Sequence, residues 1–243
     1  SIFILLALTY WLINNRIKRI KREKDLVIDR LQAEQRALRA QMNPHFIFNI
    51  VSSAQYLVMK EKNEKAIHFL GMFSKLMRNI LDYSNNSFIQ LEEEITFLEN
   101  YIELEQMRME NSFSFNIEVE VKNRELRIPP FLIQPFIENA IHHGLKDKEG
   151  DRRIKLSMDY NSNFLIVVIE DNGIGRKSSG EHASEAKKAR KSHGIRIIRE
   201  RLELNNNRKN NNLTIEDLYN KDGKAIGTRV ELKIKINDEG TNN

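Results

Sequence analysis

The chain has 243 residues, 40% of them apolar and 30% charged, with a formal net charge of +5. That length allows one large or two small domains with real cores. The absence of cysteine excludes disulfides and thiolate metal sites, and it suits a reducing compartment.

Residues 2–13, IFILLALTYWLI, are almost wholly apolar, but a membrane-spanning helix needs roughly 20 such residues. No basic stretch precedes them, which argues against a secretory signal. The expectation is the closing half of a transmembrane helix, with Tyr10 and Trp11 near the interface. The basic run RIKRIKREK at 16–24 would then mark the cytoplasmic side of an inner (cytoplasmic) membrane. A short buried or amphipathic helix is the competing reading. The basic run has neither aromatic interleaving nor a base-reading motif, so direct nucleic-acid binding is not expected.

From residue 13 to 42 there is no Gly or Pro. Ile13, Ile17, Ile20, Val27, Leu31 and Leu38 fall on a heptad seam, with Lys24 and Glu34 at its polar positions, which predicts a parallel coiled coil weak enough to respond to upstream changes. Pro44 interrupts it. A new stripe follows, centred on Ile47, Val51, Ala54 and Val58 and including Ile50, and a second amphipathic helix is predicted at about 64–84. Two such helices bury their stripes most simply as an antiparallel hairpin, doubled in a homodimer into a four-helix bundle.

LEEEITFLENYIELEQMRME (91–110) reads as a third helix with an acidic first turn. The period then changes: FSFNIEVEV (113–121) alternates like a strand, and FLIQPFIENAIHH (131–143) reads as a helix. Strands are predicted at 154–160, 164–171, 213–219 and 227–236, a polar lid at 176–193 and a helix at 194–206. The fold class expected is α+β. A helical-hairpin dimerisation module precedes an α/β sandwich whose mixed sheet is covered on one face. The divisions are 1–13 membrane segment, 14–40 coil, 41–84 dimerisation module, 85–111 connecting helix, 112–237 α/β domain and 238–243 tail.

Three segments carry chemistry. In QMNPHFIFN (41–49), His45 and Asn49 lie one turn apart, opposite the apolar stripe, on the side expected to face solvent. An ordinary surface histidine is the alternative there. In QPFIENAIHHG (134–144), the Asn139 amide oxygen can ligate Mg²⁺, a hard cation that keeps several waters. Glu138 can orient a metal-bound water or accept a proton, and His142 and His143 can reach phosphate or base. A polar helix end with incidental histidines is the bland reading. In EDNGIG (170–175), Asp171 can accept a hydrogen bond from an exocyclic amine such as adenine N6, while Gly173 and Gly175 allow close backbone approach.

In this order the segments resemble the cytoplasmic part of the LytS/YehU-type sensor histidine kinases. Their phosphoacceptor motif N-P-H-F-x-F-N is matched by Asn43, Pro44, His45, Phe46, Phe48 and Asn49. The second half is similar to the Bergerat ATPase fold of histidine kinases, gyrase, Hsp90 and MutL. Its N-box corresponds to Glu138, Asn139, His142, His143 and Gly144, and its first glycine box to Asp171, Gly173 and Gly175. The second box falls at Gly194 and the closing pair at Gly227 and Thr228. The resemblance covers about 41–236. It implies ATP and Mg²⁺ as cofactors, autophosphorylation of His45, a response-regulator receiver domain as partner (often of LytTR type) and a homodimer. Asn49 is assigned a role in dephosphorylating the regulator, since its amide lies one turn from the acceptor.

Two departures stand out. The usual G-x-G-x-G at the end of the lid is reduced to His193-Gly194, and Phe46 follows His45 where many histidine kinases carry an acid. The first keeps a second reading open, a nucleotide-responsive signalling scaffold without autokinase activity. A gyrase/Hsp90-like ATPase machine is a third, but it has no use for the NPHFIFN helix.

Overall fold

The computed structural model describes residues 16, 44–110, 112–161, 163–176, 185–206 and 212–236. The expected membrane segment, most of the coil, the start of the lid and the tail lie outside them. Among the described residues no helix is long and apolar enough to cross a membrane. The chain divides into two units, 1–53 and 54–243.

Helix α1 is described over Pro44–Met59. Ile50 and Ala54 are its buried residues, whereas Val51 and Val58 are exposed, as are Phe48 and Met59. Within a single chain, only part of the predicted stripe is covered. After a link at Lys60–Lys62, with Glu61 at φ 57°, α2 runs from Asn63 to Ser84. It buries Ala66, Phe69, Leu76 and Ile80, and leaves Ile67, Leu70 and Leu81 exposed.

A short strand β1 (Ile89–Gln90) leads into α3 (Leu91–Arg108). The Glu93 carboxylate accepts the Gln90 backbone N–H at 2.7 Å, which satisfies one donor at the helix start. Helix α3 packs on α2, and β1 pairs antiparallel with β3 (Arg127–Ile128), a pair absent from the sequence reading. Tyr83, Phe97 and Phe131 stack where α2, α3 and the 129–133 segment meet, with Phe97 and Phe131 5.2 Å apart and edge to face.

The sheet has the order β2 (Ser114–Val119), β4 (Arg153–Asn161), β5 (Phe164–Asp171), β7 (Ala225–Lys235), β6 (Leu213–Tyr219). Strands β2 and β4 are parallel and every other neighbouring pair is antiparallel, so the sheet is mixed, as expected. Period-two alternation sends Leu156, Ile169 and Val230, and then Met158, Val167 and Leu232, to one buried face. The other face carries the row Lys155, Glu170, Arg229 and Glu216, one from each of four adjacent strands. Helix α4 (Gln134–Asn139) continues as a π turn, Ala140–Gly144.

Helix α5 runs from Glu185 to Asn206, which corrects the predicted boundary between lid and helix at 194. The stretch EAKKARKSH is built of strong helix formers that carry the helix through Gly194. Its far end is tied down: the buried Asn206 side chain donates to the Lys233 carbonyl at 2.7 Å and accepts the Lys235 N–H at 2.8 Å.

Candidate functional site

Register places the site. Ile154, Asp171, Thr228 and Asp217 are directly opposed on four adjacent strands. Asp171 is the last residue of β5 and lies on the inward, apolar face, where it is buried. Burial pushes its carboxyl up to about 6, against hydrogen bonds from the Gly173 backbone and from Thr228 that favour the ionised form. The Gly173 N–H donates to Asp171 Oδ1 at 2.8 Å. Asp217 sits beyond Thr228, its side chain almost fully buried, and accepts from the Arg176 backbone N–H at 2.9 Å and from Arg176 Nε at 3.3 Å.

Glycines let the π turn and the loop after β5 meet. A Cβ on Gly173 would collide with the Gly144 carbonyl, and one on Gly144 would lie 2.8 Å from Asp171 Oδ1. The Gly144 carbonyl accepts the Ile174 N–H at 3.1 Å, which joins the two segments. Gly175 has φ +77°, a left-handed conformation that glycine adopts without the Cβ penalty, and any Cβ there would lie 2.6 Å from Ala225 Cβ. At Gly227 a Cβ would strike the Asp171 carbonyl oxygen.

These segments border a cleft. Asn139, His143, Gly144, Asp171, Gly175 and Thr228 line it, together with Phe136, Ala140, Ile195, Ile215, Val230 and Arg176. The site thus has apolar walls, one buried carboxylate and a few polar groups at the π-turn end. An Asn amide oxygen beside open space fits a Mg²⁺ that keeps most of its waters. Among the described residues no group of three or more His, Asp or Glu side chains could hold a metal by itself.

Five expected residues fall elsewhere. His142 turns away from the cleft lining, with Nε2 3.6 Å from Glu105 Oε2 on α3 and Nδ1 3.5 Å from Arg108. The buried anion of Glu105 accounts for that orientation. Glu138 is half-buried and outside the lining; its charge acts on Tyr101, whose phenol is raised by burial first and then by Glu138 and Glu105. Gly194 lies inside α5 with nothing within 4 Å of a Cβ built on it, so no glycine loop forms there and Ile195 reaches the cleft instead. His45 is the second residue of α1 and the half-buried Asn49 lies one turn on; both belong to the first unit.

Sequence reasoning missed Asp217, Arg176 and the apolar walls. Asp217 was detectable: it shares the phase of Leu213 and Ile215 in β6, and an acid on an inward position asks for a partner. Arg176 gave no such signal, because its partner lies on another strand.

The histidine kinase family model matches residues 33–113, which include the NPHFIFN segment and helices α1 to α3. The sensor protein LytS of Staphylococcus epidermidis is 34% identical over 143 residues, 59% of this chain and 24% of that protein. LytS of Oceanobacillus iheyensis is 33% identical over 164 residues, 68% of this chain and 28% of that protein. The sensor histidine kinase/phosphatase LytS of Staphylococcus aureus is 35% identical over 151 residues, 62% and 26% respectively. The chain spans about a quarter of the length of these curated relatives. Among solved structures, the catalytic domain of histidine kinase ThkA aligns with 62% of this chain and 98% of its own, at 15% identity and a TM-score of 0.42. Residues 33–113 thus match the histidine kinase family, and the chain is similar to the LytS-type sensor histidine kinases.

Proposed function

We propose that this chain is the kinase core of a two-component sensor. It takes a phosphoryl group from Mg-ATP onto His45 and passes it to an aspartate of a response-regulator receiver domain, most simply of LytTR type. The observation that carries the nucleotide half is the shared cleft of Asn139, His143, Asp171 and Thr228. Asp171, a buried acceptor on an apolar wall, suits the exocyclic amine of adenine, and Ile195, Ile215 and Val230 suit the faces of a flat base. The phosphates would then lie toward Asn139 and His143. Asn139 is the residue to hold Mg²⁺, which supplies charge neutralisation on the phosphates.

A ring nitrogen of His45 attacks the γ-phosphorus; the N–P bond forms as the bond to the bridging oxygen breaks, and ADP leaves with that electron pair. Neutral imidazole, the dominant form near pH 7 for an unperturbed histidine, provides the lone pair. Catalysis by this chain is mainly positioning, as phosphoryl transfer generally requires. Asn49 is assigned the positioning of water for dephosphorylation of the regulator. The exposed apolar residues of α1 and α2 support pairing of two copies through a four-helix bundle, and the sheet with its glycine-rich cleft supports a Bergerat-type ATPase domain. The apolar 2–13 segment and the basic run after it support attachment to the cytoplasmic membrane.

The test is incubation with γ-labelled ATP. The wild-type chain should acquire an acid-labile, base-stable label, and His45→Gln should lose it while still binding ATP. In the same assay with a phosphorylated receiver, Asn49→Ala should slow dephosphorylation. Label at the wild-type level in His45→Gln would remove His45 from its role. The continuous helix through Gly194 favours a second reading, a scaffold that binds nucleotide without labelling itself. That reading wins if ATP binds and no label forms.

A further inference from the structure

Helix α3 adds no residue to the cleft lining, yet it carries two fully buried carboxylates, Glu94 and Glu105. They lie about three turns apart on the stripe that also holds Leu98 and Tyr101. Glu94 accepts the Phe131 N–H at 3.3 Å, just before α4. Glu105 meets the other end of the same segment, the π turn. Its Oε2 takes Arg108 Nη2 at 2.6 Å and Nε at 3.0 Å, and it faces His142 Nε2 at 3.6 Å, while its Oε1 is buried without a hydrogen-bond partner. Arg108 Nη2 also reaches His142 Nδ1 at 3.5 Å, so the three side chains close on one another.

A carboxylate taken out of water costs several kcal/mol unless cations offset it. Burial opposes ionisation of Glu105, but His142 and Arg108 together hold its carboxyl below the usual range. A helix that needed only an internal ion pair would place it at the surface, where burial costs nothing. Here the pair is turned inward onto a π turn, a geometry rarely kept without cause. The turn bears His143 and Gly144 on the cleft side and His142 on the α3 side.

We propose that Glu105 and Arg108 are positioning residues for the nucleotide site, acting through His142 to hold the π turn that presents Asn139 and His143. His142 is then a brace and not a phosphate ligand. The inference rests on the cleft being a nucleotide site, and it makes α3 a working part of that site and not a passive connector.

Amide hydrogen exchange on the whole 243-residue chain, without ligand, tests it beside Mg-ATP titrations. Glu105→Gln should speed exchange over Asn139–Gly144 by about tenfold or more while β4 and β5 stay protected. It should also weaken Mg-ATP binding at least about fivefold. His142→Gln, at a more exposed position, should do the same, and the double variant should add little to either single one. Unchanged exchange over the turn, or a rise shared equally by β4 and β5, overturns the proposal. A wild-type chain that fails to bind Mg-ATP sinks the nucleotide reading instead, because the exchange pattern still reports whether the brace holds the turn.

Discussion

Asp171 carries a cost in the ligand-free chain that a purine amine would remove. Its carboxyl is raised from 3.8 to about 6 mainly by burial. The folded form therefore holds the proton more tightly than the unfolded one, and ligand-free stability falls as pH climbs from about 4 through 6, then levels. A donor placed on the carboxylate favours the ionised state, so binding releases the proton. Adenine-nucleotide affinity should rise about tenfold between about pH 5 and pH 7. Asp171→Asn should weaken binding by more than about tenfold and lose that part of the pH slope, since an amide offers the exocyclic amine a competing donor. Calorimetric titration of both proteins across this range is the check; an identical slope in the variant would take Asp171 away from the base.

At the level of elements, α3 shows how one helix fixes two others. Glu94 anchors the backbone ahead of α4, and the charge of Arg201 on α5 reaches it. Arg201 in turn donates to the Pro130 carbonyl at 2.9 Å. Burial raises the Glu94 carboxyl from 4.5 to about 7, against hydrogen bonds from Phe131 and Ile133 and the charge of Arg201. The sign follows as for any raised acid: its contribution is most favourable below about pH 4.5 and is lost as pH rises through 7. Glu94→Gln keeps the hydrogen-bond acceptor and removes the titration. Relative to wild type, the variant should gain roughly 2 kcal/mol between about pH 5 and pH 8, read from urea unfolding at each pH. A gap that stays constant with pH would show that Glu94 does not titrate in this window.

Much of this was legible in the sequence, because period and punctuation are local signals. FLIVVIED (164–171) and LTIEDLY (213–219) form strands at the residues expected, and α3 begins at Leu91 as its acidic turn predicted. Gly175 of DNGIG and Asn139 of QPFIENAIHHG line one cleft. What escaped was decided by partners distant in sequence. His142 faces a carboxylate thirty-odd positions earlier, and β1 becomes a strand only because β3 lies beside it. The helix through Gly194 escapes the sequence for another reason: its charge suggests a mobile lid, although Glu, Lys, Arg and Ala are also strong helix formers.

Across the whole molecule, α2 is apolar on two sides. One side is buried through Ala66, Phe69, Leu76 and Ile80, while Ile67 and Leu81 remain 72% and 51% exposed. Exposed apolar surface of this kind marks an association face when it is contiguous. Ile67→Glu combined with Leu81→Glu should convert a dimer to a monomer in sedimentation velocity, with little loss of thermal stability in the α/β part. A dimer that survives both charges would place the contact elsewhere.

The charge row on the sheet's outer face bears on how the site can form at all. Hydrophobic alternation forbids a strand from slipping by one residue, since that would turn its apolar side chains to water, but it is silent about a slip of two. Lys155, Glu170, Arg229 and Glu216 alternate in sign across four strands only in the native register. Slipping β7 by two in one direction sets Glu231 against Glu170, and other double slips forfeit attractions between neighbours. Asp171, Thr228 and Asp217 stand one rung further along the same strands. Charges that never touch the cleft thus act as a proofreading code for it, rejecting the misaligned sheets in which the acceptor carboxylate and its threonine would never meet.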